Sequence, residues 1–216
     1  MISEEDKRKL KEYAERLARE IAISESELRR ILEKAFKMKD KNAQKRYIEE
    51  SVWNLIEQKS EDSAAIAEDK NGIPLPEFFV PSFIESIDET TKEKISAYAT
   101  QFIKETEDME SMMSFYKPKI DKDTLREAKM AAMLPITAKS SVTNMKVLVS
   151  YLILDVMNKA DLYLMRSKGI AGYIGVRMST YDCPLCDSLC GYFIPIDIQV
   201  FPAHPRCVCG MIPVFV

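Results

Sequence analysis

Apolar positions near the start of the chain recur at helical steps. Leu10, Ala14, Leu17 and Ile21 are three or four residues apart and follow the acidic run Ser3-Glu4-Glu5-Asp6, which predicts an amphipathic helix with a first turn suited to its dipole. Ser24 and Glu27 have capping-box spacing ahead of Leu28, Ile31, Leu32, Ala35 and Phe36. This predicts a second helix, joined to the first by a tight turn at Ile21-Ala22-Ile23-Ser24 as a helical hairpin. The turn lacks glycine, so the pair reads as mutual packing partners rather than as a DNA-reading helix-turn-helix. A third helix is predicted from Ala43 to Lys59, with Tyr47, Ile48, Val52, Leu55 and Ile56 inward. Helical character resumes from Ser82 to about Tyr116, stops at Lys117-Pro118, and restarts at Asp123-Thr124, where Thr124 and Glu127 form another capping box. Pro135 breaks it again. From Ala138 to Arg166 the middle is apolar on nearly all sides, the pattern of a helix buried among other elements.

After Gly169 the period changes. Tyr173–Met178, Tyr192–Ile198 and Met211–Phe215 are short, rich in branched and aromatic residues, and bounded by glycine or proline, so they read as strands. The fold class is therefore mainly α with a small C-terminal β unit (α+β), a helical body carrying a β-hairpin region. Asp69 to Pro81 holds three prolines and a glycine and reads as an extended connector. It divides the chain into an N-terminal helical region, 1–68, a connector, 69–81, and a helical and β part, 82–216.

Composition narrows the class without naming a function. With 46% hydrophobic and 30% charged residues in 24.7 kDa, the chain suits a globular protein. The charged N-terminus has no apolar signal-peptide core, and no apolar run approaches the roughly 20 residues of a membrane span, so a reducing cytoplasm and no membrane are expected. Charge is uneven: residues 61–110 carry 4 basic and 13 acidic side chains, whereas 117–146 carry 7 and 3. That basic stretch reads as a solvated helix face, too sparse to make a nucleic-acid surface by itself.

One segment concentrates the candidate chemistry. All five cysteines and the single histidine fall between Cys183 and Cys209. Cys183-Pro184-Leu185-Cys186 is a CxxC whose thiolates can converge on one metal. His204, Cys207 and Cys209 supply a second group of ligands, and the gap between the groups allows a strand and a return, as in zinc ribbons. About one structural zinc per chain is expected, with Cys183, Cys186, His204, Cys207 and Cys209 as candidate ligands and the choice of four left open. Cys190 lies outside both groups. Redox chemistry lacks a βαβ context, a nucleophilic cysteine lacks a free base, and a zinc deaminase needs an H-x-E that does not precede Pro184. No enzymatic activity, catalytic residue or small-molecule substrate is expected.

The runs VRMSTYDCPLCDSLCGYFIP and FPAHPRCVCGMIPV resemble the C-terminal signature of the MuF-like phage minor head proteins, the head morphogenesis family, written CxxCxxLxG, a spacer, then HPxCRC. Cys183, Cys186, Leu189, Gly191, His204, Pro205, Cys207 and Cys209 fall on that pattern, and the similarity spans about residues 125–216. Two positions depart from it. Cys190 stands where the family usually has aspartate or asparagine, adding a competing ligand, and Val208 stands where it usually has arginine, removing a basic side chain. The resemblance implies a minor capsid component of a phage or prophage, acting structurally in head assembly near the portal. Its partners would be other head proteins, such as the portal or major capsid protein. Its location would be the host cytoplasm during assembly and then the inside of the virion capsid, with contact to packaged DNA left open. The N-terminal helices, outside the resemblance, are expected to adapt to the partner. The rival reading is a zinc-stabilised nucleic-acid-binding module using the 117–146 lysines and the N-terminal hairpin.

Overall fold

A computed structural model describes residues 4–115, 141–178, 182–204 and 207–214. Among these residues, four long helices precede a small β unit: α1 (Glu4–Phe36), α2 (Lys41–Asn71), α3 (Phe79–Phe115) and α4 (Ser141–Ser167), then β1 (Gly172–Val176), a short helix α5 (Pro184–Leu189), β2 (Phe193–Pro195) and β3 (Gly210–Val214). The α+β class read from the pattern is the class observed. The expected helix restart at Thr124 and the break at Pro135 lie outside the described residues.

The predicted N-terminal hairpin is instead one helix, α1. Leu10, Leu17, Ile21, Ser24, Leu28 and Leu32 are all buried, so the inward stripe passes through the supposed turn without losing phase. Ser24 does not cap a helix. Its hydroxyl donates to the Glu20 carbonyl one turn back, at 2.7 Å, an alternative partner that capping-box spacing alone does not exclude. The chain does turn at Lys37–Asp40, where the Asp40 carboxylate accepts from the backbone N–H groups of Asn42 and Ala43 at 2.8 and 3.1 Å and caps α2.

Helix α2 continues past Lys59 to Asn71 because small residues, Ser60, Ser63, Ala64 and Ala67, extend its buried face. Lys59 is buried as well, its amine meeting Asp62 at 2.9 Å and Glu20 at 3.4 Å. Gly72, Pro74 and Pro76 stop the helix, so the irregular stretch is 72–78 and the ends of the expected connector are helical. Pro81 sits in the first turn of α3, where its missing N–H costs no hydrogen bond.

By packing, the chain forms two compact units, one of Met1–Glu25, Ile56–Ser86 and Val149–Val216, the other of Ser26–Leu55 and Ile87–Leu148. Each unit draws on both sides of the proline-rich stretch. The second unit has an aliphatic core including Leu28, Leu32, Ile48, Val52 and Ile95, and Ser141 donates to Glu105 at 2.7 Å. In the first, α4 is buried nearly all round, as its sequence predicts, with Ile153, Leu154, Val156 and Ala160 almost wholly enclosed. Asp161 on that helix is buried too. It pairs with Lys70 and accepts from the Asn71 side-chain amide at 2.6 Å, and the Lys70 amine also reaches the Met211 carbonyl at 3.4 Å.

The sheet order is β2-β1-β3, with both outer strands antiparallel to β1. The β unit expected at the C-terminal end is this sheet, in which both later strands pair with β1. Tyr173 on β1 is fully buried, and Gly172 faces Pro195 on one side and Val214 on the other. A cluster of Leu162, Met165, Tyr173, Ile194, Phe201 and Met211 encloses Cys183, Cys186, Cys207 and Cys209.

Candidate metal centre

The CxxC is built on the start of α5. Cys183 is its N-cap, with extended backbone, and Pro184 takes the first helical position, where a fixed φ favours the turn. The Cys183 sulfur accepts the Cys186 N–H at 3.5 Å. This bond favours the thiolate and holds the Cys183 pKa below the ordinary thiol value. Cys186 lies one turn on, wholly buried, and desolvation pushes its thiol up to about 12. Cys190 follows at the C-terminus of α5, its N–H donating to the Cys186 carbonyl at 2.9 Å. Gly191 then adopts φ +89, a left-handed conformation that favours glycine, and donates to Gly175 at 2.8 Å. The family-like glycine thus has a local reason: it turns the chain from the knuckle back onto β1.

The second half of the site is carried by the loop after β2. The Tyr173 hydroxyl donates to the Ile198 carbonyl at 2.8 Å and accepts from the Val200 N–H at 3.3 Å, pinning the loop to the central strand. Gln199 donates to Asp155 and to the Phe201 carbonyl, both at 2.9 Å. Phe201 packs over Gly175, where a Cβ would come within 2.8 Å of its ring. Beyond Phe201, His204 accepts the Cys207 N–H on its backbone carbonyl at 3.0 Å, a turn that aims both side chains at Cys186. The His204 Nε2 lies 3.1 Å and the Cys207 sulfur 3.7 Å from the Cys186 sulfur.

All five residues expected as ligands are brought together. Their donor atoms form two groups, Cys183 with Cys186 and His204, and Cys186 with Cys207 and Cys209, and within each group every pair lies inside 4.8 Å. These Cys/His groups are close enough to hold a metal ion. Cys186 belongs to both, a role that spacing alone does not reveal. Burial raises the Cys190 thiol, while a hydrogen bond to Cys209 followed by burial raises Cys207. Crowded, desolvated thiols of this kind ionise readily only when a cation compensates the charge.

Sequence reasoning missed two features of the site. Cys190, outside both groups, ends α5 and bridges to Gly175 on β1. Lys70, far away in the chain, reaches the carbonyl of Met211 on β3. A signal for the latter was present: Asp155, Asn158 and Asp161 interrupt an otherwise apolar helix at three-residue steps, and polar residues buried in such a helix need partners. No family model, no curated protein and no solved structure matches this chain. Among the described residues, no helix is long and apolar enough to cross a membrane.

Proposed function

We propose that the chain is a minor head component of a tailed phage or prophage, acting structurally in head assembly near the portal, with its Cys/His cluster stabilised by zinc. The observation that carries this reading is the spaced signature Cys183, Cys186, Leu189, Gly191, His204, Cys207 and Cys209, together with the convergence of its ligand atoms. Thiolate and imidazole donors in a buried site favour zinc among the common divalent ions. The zinc would fasten the two loops that bear the ligands, and the protein would act by docking on portal or major capsid protein, without turnover.

The nucleic-acid reading is the weaker one. Between Arg177 and Arg206 the chain has three aspartates and no lysine or arginine, and Arg177 is engaged by Asp187. The metal-bearing loops therefore offer little to a phosphate backbone.

Sedimentation of particles from a host producing the heads tests the proposal. The chain is expected to sediment with the heads, and its deletion to lower their yield at least tenfold. A chain that stays wholly in the supernatant, with heads forming normally in its absence, would overturn it.

A further inference from the structure

We propose that the Cys186 thiolate bridges two divalent ions of the zinc type, one held by Cys183, Cys186 and His204, the other by Cys186, Cys207 and Cys209. The inference rests on the reading of the cluster as a metal site and replaces the expectation of a single ion.

In a tetrahedral zinc thiolate site, with bonds of about 2.3 Å, ligand atoms stand about 3.8 Å apart. The 3.7 Å between the Cys186 and Cys207 sulfurs matches that separation. No four of the six cysteine and histidine donor atoms are all within 4.8 Å of one another; five of them form two triplets that meet only at Cys186, and Cys190 is in neither. One ion serving both triplets would have to draw Cys183 or His204 across toward Cys207 and Cys209. Two ions take the triplets as they stand. A thiolate can serve both because its sulfur has more than one lone pair, and Cys186 is the one donor close to both sides.

The second triplet is wholly buried, and Cys190, whose backbone is held by Cys186 and by its bridge to Gly175, lies outside it. The first ion keeps three protein ligands, with His204 on the half-exposed side, where water can complete the set. Charge favours the pair as well. Two dications balance the four thiolates of the triplets, whereas a single dication leaves two negative charges and forces protons back onto buried sulfurs.

The test uses the full-length protein, stripped of metal under reducing, anaerobic conditions and titrated with Cd²⁺ while native mass spectrometry counts bound ions. Two ions per chain are expected. Cys183→Ser and Cys207→Ser should each retain one, Cys186→Ser should lose both, and Cys190→Ser should keep both. Saturation at one ion overturns the bridged pair and leaves the single-metal reading standing; no ion at all overturns both. If the variants fail to fold, the count on the unaltered chain decides alone.

Discussion

Leu32 in α1 and Cys186 in α5 are equally well buried, but their neighbourhoods differ in kind. The interior around Leu32 is aliphatic, drawn from helices whose stripes repeat over thirty residues or so. The interior around Cys186 mixes four thiols and Phe201 with Tyr173, Ile194 and Met211, the last three carried on strands of five, three and five residues. Long helices bury enough apolar area to stand on dispersion and the hydrophobic effect. Strands this short bury less, and an ion held by the sulfurs would supply stability they lack.

Metal removal should break that parallel most sharply. Structural zinc contributes on the order of 10 kcal/mol in small metal-dependent domains. Chelation is therefore expected to abolish amide protection across residues 172–214 while most of the helical circular dichroism remains. Parallel loss of both signals would mean that the lobe and the helices share one source of stability. pH sharpens the same contrast. Protons compete with the ion for thiolate and imidazole donors, so acid is the destabilising condition for the loaded lobe. Thermal melts of the loaded protein should show the lobe, but not the Leu32 core, weakening as pH falls toward about 5.

Leu32→Ala probes the other side of the comparison. It should cost about 2–5 kcal/mol and lower the melting temperature of the helices, with metal content unchanged. A fall in bound metal would show that the aliphatic core supports the site directly.

Gly175→Ala is the smallest of the three, at about 1–3 kcal/mol, because a new methyl would press on the Phe201 ring at 2.8 Å. The cost should fall on the lobe, as weaker metal retention, with the helical melt nearly unmoved.

Helix existence and the buried character of α4 were legible because a 3.6-residue period over many turns leaves few alternatives. The break at Ile21–Ser24 was misread because Ser24 and Glu27 satisfy a local capping rule, while the decisive fact, an inward stripe in unbroken phase from Leu17 to Leu32, extends beyond any local window. Likewise α2 overran Lys59 because serine and alanine carry little hydrophobic signal yet pack well against a neighbouring surface. In the site, the ligand residues were legible from chemistry alone. The shared position of Cys186 was not, since it follows from how the His204 turn and the α5 knuckle are set against each other in space.

The pairing of Gly172 with Val214 at one end of the β1–β3 ladder also has a mechanical meaning. The chain enters and leaves the lobe side by side, so tension on the flanking residues peels the two strands apart one rung at a time rather than shearing them together. The ladder runs through Tyr173, Ile174 and Gly175 to Val176 opposite Gly210, and the next residue back from Gly210 is Cys209. Peeling therefore runs easily along the strands until it reaches the sulfur cluster, where a bound ion would carry the load in place of hydrogen bonds.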